Sequence, residues 1–482
     1  MDRTRKPSLQ IGAWCAIGAG LFGLALILTL ASPQFGYDHA VRDMPVPWLV
    51  GGLALAGVLY LALLRLIPAT LRKIPGKSYA LLLFVLVLGL AMRLLMFASE
   101  PVLEDDYQRY LWDGAMTAHG LNPYEVSPED AKTAEPETSA IGRLAIASGD
   151  VLDRVNHPEL RTVYPPVAQG VFALSHVLGP WSLQTWRALC LLAEIATVAL
   201  LLLLLRELGR SPLWVALYWW NPLAVKELIN SGHLEALLIP VVLGAIVLAI
   251  HRRSLLSTLA LVVATGLKLW PVLLLPLVWR PLAERPRMLL LTVALTAVLG
   301  LALAAPILWA GFDQNSGLVA YAQNWKTNSA LYPQLEALAG VWSGWIGGFE
   351  PWIVARSAVA LVLSGLALWL ARQPFRTPDD LIQKCVLLIG ALVLLSPAQF
   401  PWYFLWVLPL MPLRPVLGLL ALTVTMPLYY LGFYFIARDS YELFASTIVW
   451  FVWVPVWLLL AAEFAPRNWQ GWRARLGLAH AS

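Results

Sequence analysis

Four carboxylates lie within ten residues, at Glu104, Asp105, Asp106 and Asp113, between an apolar run and a long polar segment. Clustered acids suit two kinds of chemistry: one carboxylate can take a proton from a hydroxyl, and several can hold a divalent metal against a phosphate. A sugar transfer from a phosphate-linked donor needs both kinds of help, because the acceptor loses a proton while the phosphate leaves as an anion. The alternative is a solvated acidic loop without chemistry, and the acids alone do not decide between the two.

Aromatic side chains accompany these acids. Tyr107, Tyr110, Trp112 and Tyr124 fall within or just after the acidic run. Rings beside acids are common in carbohydrate sites, but the same rings would equally suit anchors at a membrane interface. Gly120, followed closely by a proline, predicts that a helix carrying the acids ends in a fixed turn.

The composition indicates the kind of fold that must position these residues. The chain has 482 residues, of which 59% are hydrophobic and 13% are charged, against about 25% charged in an average soluble domain. Apolar runs of about 18 residues or more recur along the chain, and that length spans a bilayer. We therefore expect an all-α, polytopic membrane protein of about 12 spans (11–13). The net charge of +5 reflects Lys and Arg in short loops, and no surface for nucleic acid is predicted.

One membrane-embedded domain is expected over residues 1–482. Residues 99–165 hold 13 Asp and Glu but 5 Lys and Arg, which predicts a large extracytoplasmic loop, and Ile141–Leu152 is expected to form a short interfacial helix within it. Residues 464–482 form a basic tail, so both termini are predicted to be cytoplasmic, in a bacterial inner membrane. The apolar segments between the basic clusters of residues 166–280 do not place all of these clusters on the cytoplasmic side of the membrane. Either a helix in this range is broken or re-entrant, or one basic cluster lies outside.

Ionisable residues also occur within or beside the apolar runs, where they are costly and are functional candidates by default. They are Arg93, Lys226, Glu227, His233, Glu235 and Lys268. Arg93, Lys268 and His233 are expected to contact a donor phosphate, which needs cations. The alternatives are that Lys226 and Glu235 neutralise each other and that His233 is only a hydrogen-bonded helix cap.

The acidic run belongs to a longer ordered set of motifs. It begins with Glu104-Asp105-Asp106-Tyr107, Arg109-Tyr110-Leu111-Trp112-Asp113-Gly114 and Gly120-Leu121-Asn122-Pro123-Tyr124. Later members are Tyr164-Pro165-Pro166, Trp220-Asn221-Pro222, Gly232-His233-x-Glu235, Lys268-x-x-Pro271 and Ser396-Pro397-x-Gln399-x-x-Trp402-Tyr403. The set covers about residues 93–410 and resembles the GT-C superfamily of membrane glycosyltransferases, most closely the mannosyltransferase-like proteins of glycosyltransferase family 87.

This resemblance implies an inverting transfer of a sugar, with mannose as the first expectation, from a polyprenyl-phosphate donor on the outer face of the membrane. The acceptor would be a hydroxyl of a glycolipid, polysaccharide or protein. The base would be Asp105 or Asp106, with Asp105 favoured, and Glu104 and Asp106 could hold Mg²⁺ or Mn²⁺. The implied substrate-binding residues are Arg109, Tyr110, Trp112, Asp113, Asn122, Tyr124, Tyr164, Glu235, Asn324, Gln399 and Trp402.

Other functions compete with this one. Broken helices and charges at membrane depth would serve a transporter or flippase of lipid or lipid-linked sugar equally well, although the strongest acid cluster lies outside the apolar runs. A catalytically dead relative is a third alternative, against which the intact acids argue. Gly76-Lys77-Ser78 lacks the first glycine of the phosphate-binding pattern Gly-x4-Gly-Lys-Ser/Thr, which does not occur in the chain, so no nucleotide cofactor is predicted.

Overall fold

The computed structural model describes residues 5–73, 79–345 and 347–465, and the regular elements in these ranges are helices and short helical turns. The described residues contain no strand, and a single parallel bridge joins Thr327 to Ala398. The predicted all-α class is therefore confirmed. Of the predicted basic tail, 464–482, the part after residue 465 lies outside the described residues.

The helices follow the apolar runs of the sequence. The first group comprises α1 (Leu9–Phe35), α2 (Val46–Lys73), α3 (Tyr79–Phe97), α4 (Asp106–Ala118), α5 (Pro128–Thr133), α6 (Ala140–Ala147) and α7 (Asp150–Asp153). The second comprises α8 (Pro166–Leu178), α9 (Leu183–Glu207), α10 (Pro222–Asn230), α11 (Glu235–Ile250) and α12 (Ser254–Leu267). The third comprises α13 (Pro286–Ala310), α14 (Gly317–Asn324), α15 (Tyr332–Ser343), α16 (Pro351–Ala371), α17 (Pro378–Leu395), α18 (Pro401–Leu410), α19 (Leu417–Ile436) and α20 (Tyr441–Phe464).

Eight helices of the described residues are long and apolar enough to cross a membrane: α1, α2, α3, α9, α13, α16, α19 and α20. The pair α10–α11 adds a ninth span if its two halves are counted together. The apolar helices α8, α12 and α18 are shorter, between 10 and 17 residues. The protein is thus an integral membrane protein, and the predicted count of about 12 spans is not confirmed.

The break between α10 and α11 is the feature of the fold that matters most for the site. The two helices meet at an angle of 116°, and Gly232 adopts a left-handed φ of +68° between them, a conformation that favours glycine. A π-helical turn, Lys226–Asn230, ends α10, and such turns are frequent at functional sites. His233 lies in the break and is fully buried.

The segment 99–165, which we call the acidic segment, packs around α4. Trp112, Ala115 and Met116 of α4 form a small core that is completed by Ala131, Leu144, Leu152 and Val155. On another face α4 lies so close to α8 that a Cβ on Gly114 would collide with the carbonyl group of Phe172. The helix that begins at Asp106 is therefore fixed from both sides. In place of the single helix predicted at Ile141–Leu152 the structure has the two short helices α6 and α7, separated at Gly149, whose φ is +55°. The interfacial position of this stretch stays a prediction.

Candidate active site

The three adjacent acids are placed by the start of α4. Asp105 immediately precedes the helix, and its side chain does not cap it. Glu104 does so instead, because its Oε1 accepts from the backbone N–H groups of Asp105 at 3.2 Å and Asp106 at 3.3 Å. The positive end of the helix dipole favours carboxylates at this position. The sequence thus brings all three acids to one helix end and leaves the Asp105 carboxylate free of the helix backbone.

Asn156 holds two of these acids from across the acidic segment. Its Nδ2 donates to Asp105 Oδ1 at 2.7 Å and approaches Asp106 Oδ1 at 3.4 Å. Arg109 fixes the backbone that carries Asn156, since its guanidinium donates to the carbonyl groups of Asn156, His157 and Leu160, each at 2.9 Å. Asn156 therefore orients the two carboxylates, and Arg109 positions Asn156.

Tyrosines support Asp106 on its other side. The hydroxyl of Tyr164 donates to Asp106 Oδ2 at 3.2 Å, and Tyr124 donates to the carbonyl oxygen of Tyr164 at 2.6 Å. Tyr110 stacks on Phe172 with ring centroids 4.6 Å apart and packs edge-on against Tyr164. Of these rings, only Tyr164 also lines the cavity described below, so Tyr110 and Tyr124 act as its support.

His233 faces the acids from the break between α10 and α11. Its Nε2 lies 3.2 Å from Glu104 Oε2 and 3.4 Å from Glu227 Oε2, and its Nδ1 lies 3.9 Å from Asp106 Oδ2. The ring stacks on Trp402 with centroids 3.9 Å apart. Three carboxylates thus surround one buried imidazole, and their negative charge disfavours direct contact between it and a phosphate anion. The structure brings His233 to the acids and not to the cavity wall.

Behind His233 a buried polar cluster continues into α10 and α19. Lys226 Nζ lies 3.4 Å from Glu227 Oε2 and donates to the hydroxyl of Tyr430 at 2.5 Å. Tyr430 in turn donates to Glu227. The sequence allows Lys226 to pair with Glu235, but its ion pair is with Glu227.

Glu235 pairs instead with Lys268, which follows α12. Trp406 also donates to Glu235 Oε1, at 3.2 Å, and the Lys268 ammonium lies 4.6 Å from the ring centroid of Tyr403. Glu235 is buried, whereas 21% of the Lys268 side chain is exposed and lines the cavity. Lys268 therefore presents a positive charge to the cavity, and Glu235 holds it in place from behind.

A cavity of about 1000 Å³ connects these groups. Glu104, Asp105 and Asp106 line one part of it and Lys268 another. Aromatic and apolar side chains make up much of the remaining wall, including Tyr164, Leu267, Leu269, Trp270, Leu318, Trp325, Leu392, Trp402, Tyr403, Trp406 and Tyr429. A pocket with a few convergent polar groups in a mainly apolar wall is typical of small-molecule sites. This one can hold a sugar and an adjoining apolar group together.

The surroundings raise the pKa values of two acids in the cavity. Burial, and then the charges of Glu104 and Asp106, raise the pKa of Asp105 from 3.8 to about 7, against the opposing hydrogen bond from Asn156. Burial and the charge of Glu104 also raise the pKa of Asp106. A carboxylate that titrates close to neutral pH is suited to take a proton from a hydroxyl.

Several residues predicted for the site lie elsewhere. Arg93 is fully buried, pairs with Glu194 at 2.6 Å and donates to the carbonyl oxygen of Trp219 at 2.7 Å. Because these partners occupy its guanidinium and it does not line the cavity, the structure gives no access of Arg93 to a donor phosphate. The Arg93–Glu194 pair instead joins α3 to α9 inside the membrane domain.

The predicted substrate-binding residues divide in the same way. Arg109, Tyr164 and Trp402 line the cavity, although the hydrogen bonds of Arg109 are made to backbone carbonyl groups. Glu235 reaches it only through Lys268. The others are not among the residues that line it. Trp112 packs on Trp181, Asp113 accepts from Gln169, Asn122 donates to Glu125, Gln399 donates to carbonyl groups at the end of α17, and Asn324 is exposed at the end of α14.

Two residues of the site were not predicted. Asn156 lies about fifty positions after the acids, in a stretch without a recognisable motif, and no sequence signal pointed to it. Glu227 was noted only as a charge at membrane depth, and its contact with His233 depends on the sharp break between α10 and α11. A π-helical turn that ends at a Ser-Gly-His sequence is a signal that could be recognised in other chains.

Comparison with known proteins adds a family. A family model described as Alpha-(1->6)-mannopyranosyltransferase, N-terminal domain, matches residues 20–284. This range is more than half of the 482 residues and includes Asp105, Asn156, His233 and Lys268. Searches of curated proteins and of solved structures found no match.

Proposed function

The chain belongs to this alpha-(1->6)-mannopyranosyltransferase family, and from that premise we propose that it transfers mannose from a polyprenyl-phosphate donor to a hydroxyl of a glycolipid or glycan. Membership supports a glycosyltransferase, and mannose as its sugar, in general terms. The lipid-linked donor, the inverting mechanism and the outer face of the membrane come from the resemblance to the GT-C superfamily and family 87, and they are part of the proposal.

The observation that carries the proposal is that Asp105 and Lys268 line the same cavity. The acceptor oxygen would attack the anomeric carbon of the donor while its proton passes to Asp105. The bond from that carbon to the phosphate oxygen breaks, and the phosphate leaves as an anion, which the ammonium of Lys268 stabilises. No second acid is needed to protonate the leaving group, in contrast to glycoside hydrolysis.

The cavity wall supports a lipid-linked donor for a physical reason. Leu267, Leu269 and Trp270 line it next to Lys268, and the Leu269 side chain is 58% exposed. A sugar phosphate at Lys268 would therefore have an apolar surface directly beside it, on which the first isoprene units could pack. A water-soluble nucleotide donor would gain nothing from that surface.

The experiment supplies purified protein with mannose-labelled donors and an acceptor extract. We expect label to pass from polyprenyl-phosphate mannose and not from GDP-mannose. Transfer from polyprenyl-phosphate glucose at an equal rate would contradict the assignment of mannose, and transfer from GDP-mannose alone would contradict the lipid-linked donor. The transporter alternative would require lipid movement without any labelled product, and the family match does not favour it.

A further inference from the structure

His233 is a buried polar side chain with unmet hydrogen-bonding capacity. It is 0% exposed, and neither ring nitrogen has a hydrogen-bond partner of acceptable geometry among the described residues. Carboxylate oxygens nevertheless face both nitrogens, Glu104 Oε2 at 3.2 Å from Nε2 and Asp106 Oδ2 at 3.9 Å from Nδ1. A buried group of this kind needs a partner, because leaving it unsatisfied is costly.

Around His233, carboxylates outnumber the ammonium groups of lysines. The carboxylates of Glu104, Asp105, Asp106, Glu227 and Glu235 are grouped there with the ammonium groups of Lys226 and Lys268. Each lysine is already paired, with Glu227 and Glu235 respectively. Glu104, Asp105 and Asp106 therefore have no lysine or arginine partner in an ion pair within the described part of the chain. A protonated His233 would offset one of these three negative charges, and the negative charge that remains in this largely buried place is unfavourable without a further cation.

We propose that Glu104, Asp106 and His233 together bind a divalent cation that accepts a nitrogen ligand, of the Mn²⁺ class. One ligand atom from each residue can be chosen so that all three lie within 4.8 Å of one another. Two ligands bound to one ion at about 2.1 Å are at most about 4.2 Å apart, so small side-chain movements would close the site.

The ligand types select among the ions. Mg²⁺ and Ca²⁺ favour all-oxygen coordination, whereas an imidazole with two carboxylates suits Mn²⁺ and other transition metals. Glu227 lies 3.4 Å from Nε2 of His233 and is itself held by Lys226 and Tyr430. With the ion bound by Nδ1, which faces Asp106, the Nε2–H group would donate to Glu227 and so fix the orientation of the imidazole, as carboxylates beside metal-binding histidines do.

The site assignment depends on these residues alone, whereas any role of the ion rests on the proposed function. Next to the cavity, a bound cation would supply positive charge to the phosphate of the donor. Asp105 is not among the three ligands and stays available as the base. Metal binding and proton transfer are therefore assigned to different carboxylates, which makes them separable by mutation.

The test measures binding of Mn²⁺ to the full-length protein in detergent after treatment with a chelator. The electron paramagnetic resonance signal of free Mn²⁺ reports how much of the ion is bound. The variants are Glu104→Gln, Asp106→Asn and His233→Gln, and the matched control is Asp113→Asn, which changes another buried acid of α4. Size-exclusion profiles and thermal unfolding verify that each variant is folded.

We expect one Mn²⁺ per wild-type chain, roughly 100-fold weaker binding in each ligand variant, unchanged binding in Asp113→Asn, and at least about tenfold weaker competition by Ca²⁺. No binding to the wild type, or equal binding to wild type and ligand variants, would overturn the proposal. Asp105→Asn separates it from the proposed function: this variant should bind Mn²⁺ as the wild type does and yet fail to transfer mannose.

Discussion

Replacing Asp105 with asparagine is expected to stabilise the protein above neutral pH while it abolishes transfer. Burial, and then the charges of Glu104 and Asp106, raise the pKa of Asp105 from 3.8 to about 7 in the native protein. In the unfolded chain the carboxyl titrates near 4. At pH 8 the native state therefore holds an ionised group that its surroundings disfavour. Asparagine removes that charge and keeps an oxygen that can accept from Asn156.

The effect has a defined pH window. Because the native pKa is the higher one, the native state binds the proton more tightly than the unfolded state. The contribution of Asp105 to stability is therefore fully present below about pH 4 and is lost as the pH rises to about 7. Each pKa unit is worth about 1.4 kcal/mol, so the rise from 3.8 to about 7 amounts to about 4 kcal/mol. Asp105 is partly exposed, and we expect screening by water to reduce this to about 2 kcal/mol.

The assay is thermal unfolding of detergent-purified wild type and Asp105→Asn at pH 8 and pH 5, in the presence of a chelator. The variant should unfold at a higher temperature at pH 8, with less than about half of that gain at pH 5. Glu137→Gln, which neutralises an exposed acid of the same segment, should show no such difference. A variant that is less stable than the wild type at pH 8, or that gains equally at both pH values, would refute the reasoning.

Three further predictions concern other charges. Lys268→Met should raise the KM for the donor by about tenfold to 100-fold, through loss of a charge-assisted contact of about 1.5–3 kcal/mol. The double variant Lys268→Met/Glu235→Gln leaves no unpaired acid, and donor titrations should show the same increase in KM for it. Asn156→Ala removes a hydrogen bond that lowers the pKa of Asp105. In a plot of transfer rate against pH, the rise on the acidic side should therefore move to higher pH. A rate that falls by the same factor at every pH would argue against a positioning role of Asn156. Arg93→Met should destabilise the protein by about 3–5 kcal/mol because Glu194 is left unpaired. In thermal unfolding, the double variant Arg93→Met/Glu194→Gln should regain most of the lost stability. Unchanged stability of the single variant would contradict the structural role of the pair.

The general architecture could be predicted from the sequence because it depends on local properties. Apolar runs long enough to span a bilayer indicate an all-helical membrane protein without knowledge of any contact. The adjacency of Glu104, Asp105 and Asp106 likewise guaranteed that these acids share one location. The number of spans was harder, since α8, α12 and α18 are apolar but short, and hydropathy does not determine whether such helices cross.

Contacts between distant residues could not be predicted. The sequence predicts Arg93 as a phosphate ligand because its partner Glu194 lies 101 positions away, within a mainly apolar stretch of another helix. The alternative that Lys226 and Glu235 neutralise each other is also wrong, because Lys226 pairs with Glu227 and Glu235 with Lys268. The break of 116° between α10 and α11 changes which side chains meet. The same break brings His233 to Glu104, an approach that a helical periodicity would not suggest.

The central claim is that Asp105 is the base of a mannosyl transfer. Its most direct test is the rate at which purified wild type, Asp105→Asn and Asp113→Asn transfer labelled mannose from polyprenyl-phosphate mannose. Loss of a general base typically slows a reaction by about 10²–10⁴-fold. The account predicts a loss of that size in Asp105→Asn, with normal folding, and a rate within about threefold of the wild type in Asp113→Asn, whose carboxylate faces Gln169 and not the cavity. Normal turnover by Asp105→Asn would contradict it.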